Sequence, residues 1–508
     1  MVRSSVSLLT CAAHYVAGGC ATQFTRGKPD AKYSFDVGLH YIGDLAKFEK
    51  ILASAGVSDI PMEPMDQDGF DTLVFPELEF RIPASTDLYR QRLVDLFPSE
   101  KTGIDRYIRL LQEVDHMQEH KPAGKGFAGA LGMIANAAMN ARLLMTHREA
   151  TLSAFLDSCT SDPLLRAIIS GQNGNYGLPP GEVSALLHCG LVNHYLKGAF
   201  YPRGGGQAMS DSLASRIEAL GGGVYLRRPV EGLVVDDGRC VGVQLAPRRG
   251  VRPVVRAKAV VCAGDTATAL LHLVPSDAPR SNPKETDWVA KAPSFKDAAG
   301  LFSAYVGIDE APEKLKARGF NACNYWCFDN TDFDMTYQRV RGGDMSGSFG
   351  AYITSASIKD PSHHHAPQGI SNVEIMTLVS MSPSHWGLDS QPSVGSLSYR
   401  RNDKYQEVKK GLERAMLTHL DKQFPGLADK VVFMESSTPF SHRRFTHGGT
   451  AYGLAATPDQ FLQHRPGNKG PLQNMFLAGH STRTGHGVLG AMMGGERVAR
   501  VVQRALKA

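Results

Sequence analysis

Hydrophobic positions near the C-terminus change their spacing within a short distance. Residues 475–478 form a continuous apolar run, which is typical of a short buried strand. Gly479 interrupts this run, and after Gly487 apolar side chains recur at helical spacing. The apolar positions of the helical part are Val488, Met492, Val498 and Val501. The pattern therefore predicts a strand, a glycine-rich turn and a helix, in that order.

The predicted helix carries an unusual number of glycines, Gly490, Gly494 and Gly495 in addition to Gly487. Each glycine inside a helix costs about 1 kcal/mol relative to alanine, so their presence needs a reason. One reason is a bulky ligand over the helix start, where backbone N–H groups and the helix dipole favour an anionic or polarised group. The other is close packing of the helix on a sheet. This segment alone does not decide between them.

Apolar spacing in the first half of the chain predicts a hairpin followed by helices. Residues 73–83 alternate as two short strands, and Pro76 confines them to an edge or a turn. From Ile104 to Met117 the apolar positions form a helical stripe, and helices continue to about residue 196. Such a block of helices is expected to cover a pocket.

The second half predicts mixed strands and helices. Residues 233–245 indicate a hairpin that turns at Asp237-Gly238. Strand-like runs occur between residues 301 and 380, and a long amphipathic helix follows over residues 402–424. We expect this sheet and helix to form the floor of a substrate cavity.

Composition and charge give no indication of nucleic-acid binding, a disulfide framework or a metal site. The chain of 508 residues has a formal net charge of +5 and no block of like charges, which gives no indication of nucleic-acid binding. Its eight cysteines lack the spacing of a disulfide framework and are expected to be reduced. Cys323 and Cys327 are a close pair, but no second pair completes a zinc site, so no metal site is predicted.

Targeting and membrane signals are weak. The apolar run at the N-terminus is too short for a secretory signal. Residues 127–145 are apolar, but Asn136, Asn140 and Arg142 interrupt them. We expect a buried or membrane-touching helix there rather than a membrane span.

Four segments carry a family resemblance in their order and spacing. They are FDVGLHYIG (35–43), VNHYLKGAFYPRGGGQ (192–207), TPFSHRRFTHGGTAYGL (438–454) and NMFLAGHSTRTGHGVLGA (474–491). With these segments the chain resembles the carotenoid isomerase and phytoene desaturase group of FAD-dependent oxidoreductases. Within that group it is most similar to the all-trans-retinol 13,14-reductases, or retinol saturases.

The resemblance implies an α/β fold of the Rossmann-like type that binds FAD or NAD(P), with an interleaved α+β substrate domain. It implies FAD as cofactor, NAD(P)H or another electron donor, and a hydrophobic polyene as substrate. We expect an intracellular chain; peripheral contact with a membrane, of the endoplasmic reticulum or a plastid in a eukaryote, stays open. The implied regions are a partial FAD-binding region in 1–100, a helical lid in 101–197, an FAD-binding region in 198–280, a substrate-binding sheet and helix in 281–435, and a C-terminal FAD-binding region in 436–508.

The resemblance also implies roles for individual residues. Gly18 and Gly19 are expected near the flavin ribityl and pyrophosphate, and the Val230 backbone near the adenine. His480 stands after Gly479 where many relatives have Asp, which removes an acceptor for the cofactor. The implied cofactor-binding residues are Gly18, Gly19, Gly38, Val230, Gly479, His480, Gly487, Val488 and Leu489.

The N-terminus departs from the family pattern. Relatives begin with a strand, a GxGxxG turn, a helix and a second strand that ends in an acidic residue. Only thirteen residues precede His14, they lack this fingerprint, and Ala12 or Ala13 stands where the acid belongs. We therefore expect a flavoprotein fold that is incomplete at the N-terminus, with unpaired backbone along residues 475–478. Either the sequence is truncated or it is a form that binds FAD weakly.

Candidate catalytic residues lie in the segment before the C-terminal helix. Tyr452, His447 and His442 are candidate proton donors or positioning groups, and His40 in the first motif is another. Each also has an ordinary structural explanation as a core or surface residue. The expected reaction is saturation of a retinoid or carotenoid double bond. Isomerisation or desaturation of a carotenoid is the alternative, and a non-catalytic polyene-binding protein is an alternative of another class.

Overall fold

The computed structural model describes residues 9–58, 60–119, 135–136, 139–279, 287–393, 395–444, 448–483 and 486–507. The strands in this part of the chain are β1 Leu9–Cys11, β2 Gln23–Lys28, β3 Ala31–Asp36, β4 Ile42–Gly43, β5 Met62–Pro64, β6 Asp71–Phe75, β7 Leu78–Ile82, β8 Ala199–Pro202, β9 Gly223–Tyr225, β10 Val230–Asp236, β11 Arg239–Leu245, β12 Val254–Arg256, β13 Val260–Cys262, β14 Gly300–Ile308, β15 Asn324–Phe328, β16 Gly350–Thr354, β17 Ser371–Val379, β18 Val431–Ser437 and β19 Met475–Leu477.

The described helices range from short turns to helices of about five to six turns. They are α1 Leu45–Ser54, α2 Thr86–Leu96, α3 Lys101–Glu119, α4 Arg142–His147, α5 Leu152–Leu156, α6 Pro163–Ser170, α7 Ala185–Leu196, α8 Gly205–Ala219, α9 Thr266–Thr268, α10 Trp288–Lys291, α11 Pro312–Ala317, α12 Phe333–Arg341, α13 Ala356–Lys359, α14 Asp403–Gln423, α15 Pro439–His442 and α16 Gly487–Ala505.

A seven-stranded mixed sheet is the largest sheet of the described chain. Its strand order is β18-β14-β17-β16-β15-β6-β7, and the β15–β6 pair is parallel whereas the others are antiparallel. The predicted hairpin around Pro76 is confirmed as β6 and β7, and Pro76 lies in the turn between them, where its missing N–H costs no ladder hydrogen bond. The sheet thus takes strands from residues 71–82 as well as from 300–437.

Alternation along the strands divides the core into two layers. Tyr352 and Met376 face the helices α2 to α7, whereas the next residues Ile353 and Ile375 face α14. The long helix predicted over residues 402–424 is confirmed, with Asn402 as its N-cap accepting from the Tyr405 N–H at 2.9 Å. The sheet is therefore covered on both faces.

The hairpin predicted at Asp237-Gly238 is also confirmed. It joins β10 and β11, and both turn residues have positive φ, 45° and 69°. Two consecutive positive φ angles give a turn whose twist matches that of the flanking strands, which is why Asp-Gly is favoured there.

Two pairs of parallel strands lie outside these sheets. β13 pairs with β19, and β1 pairs with β9. The prediction of unpaired backbone along residues 475–478 is wrong, because both edges of β19 are occupied and the side chains are buried. On the edge away from β13, Gly470 N–H donates to the Met475 carbonyl at 2.9 Å and Leu477 N–H donates to the Asn468 carbonyl at 3.0 Å. The chain's own residues 468–470 supply these partners.

The remaining predictions are partly covered by the described residues. The cysteines with described side chains are free thiols. Among the described helices none combines the length and apolarity needed to cross a membrane. Most of the apolar stretch 127–145 lies outside the described residues; of its described part, Met139 is 75% exposed.

Candidate functional site

The carboxyl ends of β13 and β19 lie side by side and both lead into glycines. Gly264 follows β13, Gly479 follows β19, and a Cβ on Gly479 would lie 3.1 Å from the Ala263 carbonyl oxygen. Asp265 caps the short helix α9 by accepting from Thr268 N–H at 2.6 Å. The carboxyl edge of parallel strands is where nucleotide-like ligands bind in open α/β sheets.

The helix α16 begins at this edge with free backbone donors. Its N-cap is His486, whose side chain makes no capping hydrogen bond. Gly487 has φ of +68°, and a Cβ there would meet no described atom within 4 Å. Val488 and Leu489 pack against the apolar cluster that contains Leu39. The helix start therefore lies beside the first motif and offers an open surface rather than tight packing.

The glycines of the N-terminal segment have different local roles. A Cβ on Gly18 would lie 2.0 Å from Ser210 Oγ, so this glycine permits close packing on α8. Gly19 has φ of +60° and open space around its Cβ position in the described structure. Gly38 lies next to Cys20, and a Cβ on Gly38 would lie 3.3 Å from the Cys20 carbonyl oxygen. The structure thus brings Gly18, Gly19 and Gly38 together.

Val230 lies where the chain leaves β9 and enters β10. Just before it, Arg227 N–H donates to the His14 carbonyl at 2.9 Å and Arg228 N–H donates to the Ala12 carbonyl at 2.8 Å. Val230 is therefore near the segment that precedes Gly18. Its role toward the adenine stays a prediction.

Arg465 is a buried cation that joins three segments of the site. It is 1% exposed, and its guanidinium donates to the carbonyls of Gln460 at 2.8 Å, His480 at 3.0 Å and Leu454 at 2.6 Å. Burial lowers the pKa of Arg465 to about 10, so it remains charged at neutral pH. Adjacent to Leu454, Gly453 has φ of +70°, and a Cβ on it would lie 2.1 Å from His480 Nε2.

The two histidines beside Arg465 are neutral. Burial, and then the charge of Arg465, lower the pKa of His480, and the same two causes lower the pKa of His486 to about 3. The Asn175 backbone lies beside His486 and partly offsets the lowering of its pKa, and Asn175 Nδ2 donates to the Tyr41 hydroxyl at 2.8 Å. This chain of contacts links the start of α16 to the residue after His40.

The three candidate catalytic residues have different positions. Tyr452 packs against Gly177, since a Cβ there would lie 2.4 Å from Tyr452 Cδ2, and it is adjacent to the Gly453 contact with His480. His442 ends α15, its Nε2 lies 3.3 Å from Ser437 Oγ, and burial lowers its pKa to about 4. His447 lies outside the described residues. Tyr452 is thus the candidate that lies beside the predicted cofactor residues.

This fold has counterparts among known structures. An oxidoreductase from Methanosarcina mazei matches 97% of this chain and 94% of its own with a TM-score of 0.62 and 15% identity. Cyclohexylamine oxidase from Brevibacterium oxydans matches 99% and 94% with a TM-score of 0.58 and 15% identity. The sequence profile of the flavin containing amine oxidoreductase family matches residues 140–503. The chain belongs to this family.

Curated relatives extend the match over most of this flavin oxidoreductase. All-trans-retinol 13,14-reductase of Danio rerio is 26% identical over 92% of this chain and 77% of its own. A protein from the same fish named inactive all-trans-retinol 13,14-reductase is 23% identical over 96% and 80%. Prolycopene isomerase 1 of an Oncidium hybrid cultivar is 22% identical over 96% and 78%. The predicted resemblance, the fold class and a flavin cofactor are thereby confirmed.

The described residues of this flavin oxidoreductase fit a flavin nucleotide. Gly19, Gly264 and Gly487 leave open surface along the carboxyl edge of the parallel strands. The start of α16 lacks a side-chain cap, and the buried hydroxyls of Ser481 and Thr266 have no hydrogen-bond partner in the described structure. Backbone and hydroxyl donors at a helix start are the groups that hold the phosphates and ring oxygens of such a cofactor.

Several residues of this site were not found from the sequence. Asp265 follows Gly264 after a predicted strand, which repeats the strand and glycine pattern of Gly479 and could have indicated it. Arg465 and His486 carry no such signal, because their importance depends on carbonyls and backbone groups that only the fold brings near.

A substitution pair separates ligand contact from helix packing. Gly487→Ala is expected to destabilise the protein by about 1 kcal/mol, because alanine is strained at positive φ, and to weaken flavin retention. Gly495→Ala, inside the same helix with open space in the described structure, is expected to stabilise it by about 1 kcal/mol and retain flavin. Urea unfolding and flavin absorbance after gel filtration are the measurements. Equal flavin retention in both variants would place Gly487 away from the cofactor.

Proposed function

We propose that this chain is an FAD-dependent oxidoreductase that saturates a carbon–carbon double bond of a retinoid or carotenoid. The observation that carries the proposal is the match to all-trans-retinol 13,14-reductase over 92% of the chain, combined with the open glycine edge at the start of α16. A bound flavin supplies the hydride transfer. The chain's own residues hold the flavin, orient the polyene and supply a proton.

Aromatic side chains support a flat, apolar substrate. Tyr41 stacks on Tyr195 with ring centroids 4.0 Å apart, and Trp326 lies 4.4 Å from Tyr352 in the layer between sheet and helices. Flat apolar rings of this kind are suited to a conjugated hydrocarbon. The proposal extends to NAD(P)H as electron donor. It also extends to peripheral membrane contact, because a polyene dissolves in a bilayer rather than in water. Flotation with lipid vesicles tests the membrane contact.

The proposed reaction is tested by product mass. Protein reconstituted with FAD should show a flavin absorbance band and, with a reductant, convert all-trans-retinol to a product two hydrogens heavier. A colourless protein that cannot be reconstituted would contradict the proposal. Boiled protein with free FAD is the control for uncatalysed reduction.

A second function is favoured by the similarity to prolycopene isomerase, 22% identical over 96% of this chain. Isomerisation leaves the mass of a carotenoid unchanged and desaturation removes two hydrogens, so the same measurement distinguishes these reactions. The similarity to the inactive reductase supports a third outcome, polyene binding without turnover. Redox turnover of any polyene would exclude it.

A further inference from the structure

Three side chains far apart in sequence converge in a buried space beside the first motif. Asp36 ends β3, His40 lies in the loop before β4, and Glu374 lies within β17. One ligand-type atom of each lies within 4.8 Å of the other two. Asp36 and Glu374 are each 1% exposed. Such a cluster is costly to bury and needs compensation.

Each carboxyl group is anchored by one oxygen and leaves the other oxygen free. Glu374 Oε1 accepts from Asp36 N–H at 2.7 Å, and Asp36 Oδ2 accepts from the Tyr201 hydroxyl. Asp36 Oδ1, Glu374 Oε2 and His40 Nδ1 are buried and have no hydrogen-bond partner among the described residues. The nearest approach is His40 Nδ1 to Glu374 Oε2 at 3.6 Å. These free atoms require a shared ligand.

Charge decides which ligand fits. The ammonium of Lys359 is fixed nearby by the His40 carbonyl at 2.6 Å and Thr354 Oγ1 at 2.7 Å. Asp71, on the far side of Asn324, does not face the cluster and is held by its own donors, Tyr41, Gln172 and Asn324. Within the cluster itself, two ionised carboxylates and one ammonium leave one negative charge, which a single proton cancels. A divalent cation would instead leave a buried positive charge beside Lys359, which is unfavourable in a low-dielectric interior. The charges of these side chains therefore favour a shared proton over a metal ion.

We propose that Asp36 and Glu374 share one proton and pass it through His40 to the double bond that the flavin reduces. This inference rests on the proposed function for its last step. His40 is suited to the transfer because it lies between Gly38 and Tyr41, and Tyr41 is connected through Asn175 to His486 at the start of α16. Glu374 acts through His40 and is a positioning residue.

The atoms balance in reduction. When bound, reduced flavin would supply a hydride to one carbon of the double bond, with electrons that come from a nicotinamide donor. The π electron pair would form a second C–H bond with a proton from one ring nitrogen of neutral His40. In the same step His40 Nδ1, 3.6 Å from Glu374 Oε2, takes the proton of the carboxyl pair, so that no imidazolate forms. Glu374 is left as a carboxylate and is reprotonated from solvent. The product gains two hydrogens.

The titration of the surrounding groups is consistent with this storage. Burial raises the pKa of both Asp36 and Glu374, and burial and the charge of Lys359 lower the pKa of His40 to about 3. At neutral pH the proton thus resides on the carboxyl pair, and the neutral imidazole relays it. The other titratable and charged groups that face the pair are Tyr201, Tyr305, Tyr352, Lys359, Asp360 and His365.

Infrared spectroscopy tests the shared proton without any turnover. The difference spectrum of wild type minus Glu374→Gln should show a carboxylic-acid C=O band at pH 7 that shifts in D2O. The subtraction removes the bands of other carboxyls whose pKa is raised by burial, such as Asp71 and Asp297. The band should disappear in Glu374→Gln, because Asp36 then ionises against Lys359. Glu435→Gln, in β18 of the same sheet and with a 41% exposed side chain, is the control and should retain it. Absence of the band in wild type, or its persistence in folded Glu374→Gln, would overturn the proposal. So would a stoichiometric metal found by elemental analysis.

Turnover tests the transfer. Glu374→Gln is expected to lower kcat for polyene reduction about 10²-fold, the usual contribution of a positioned proton donor, with KM and flavin absorbance unchanged. An unchanged kcat would exclude the relay. If the infrared band is present but wild type reduces no polyene, the proposed function fails and the shared proton stands.

Discussion

Arg465→Met is expected to lower the free energy of unfolding by about 4 kcal/mol. Methionine fills most of the space but donates no hydrogen bond, so the carbonyls of Leu454, Gln460 and His480 are left buried without this donor. Each unsatisfied buried acceptor costs about 1–3 kcal/mol, and relief of the buried charge offsets part of the sum. Urea unfolding followed by circular dichroism measures the change.

The control for Arg465 is Arg483→Met. Arg483 is exposed and makes one long hydrogen bond, 3.3 Å from the Gln463 carbonyl. Its substitution is expected to change stability by less than about 0.5 kcal/mol. Equal urea midpoints for the two variants would show that the three carbonyl contacts do not hold the site together.

Acidification from pH 7 to pH 5 is expected to destabilise the protein strongly. Burial lowers the pKa of His40, His188, His194 and His486 from 6.5 to about 3. The unfolded chain therefore binds more protons than the folded chain between about pH 3 and 6.5, and stability falls as the pH falls through this window. At pH 5 each of these histidines costs about 2 kcal/mol.

The carboxyl pair opposes this trend. Because the pKa values of Asp36 and Glu374 are raised in the folded state, these two groups favour folding as the pH falls. Burial also raises the pKa of Asp71, Asp297 and Asp334, whereas it lowers the pKa of His442 to about 4. The net change on acidification should still be a destabilisation, of about 3 kcal/mol. Urea midpoints measured at several pH values between 7 and 5 give the slope.

His188 offers a single-site check on the acid effect. It is buried between the Tyr107 and Tyr176 hydroxyls, each 3.1 Å from a ring nitrogen. His188→Gln should reduce the pH dependence of the free energy of unfolding by the equivalent of about one bound proton. His464→Gln, at a 38% exposed side chain, is the control and should leave this pH dependence unchanged. A pH-independent midpoint in the wild type would contradict the burial of these neutral rings.

Local signals in the sequence determined much of the fold. The helix Asp403–Gln423 follows from its apolar period and Asn402 cap, and the β10–β11 turn follows from Asp237-Gly238. These two features depend on residues a few positions apart, so their physical causes can be read without the fold. The flavin oxidoreductase was predicted instead from the resemblance of four ordered segments, spread over residues 35–491, to a known family.

Long-range contacts were decided only by the tertiary structure. Residues 468–470 pair with the strand edge that the sequence left open, and Ser210 accounts for Gly18 as a packing position. Asp36 and Glu374 are 338 residues apart, and Arg465 matters because of carbonyls that other segments bring to it. The spacing of apolar residues indicates which face of an element is buried but not which residues that face contacts. The glycine-rich helix start could therefore be predicted from the sequence, whereas the contact between Asp36 and Glu374 could not.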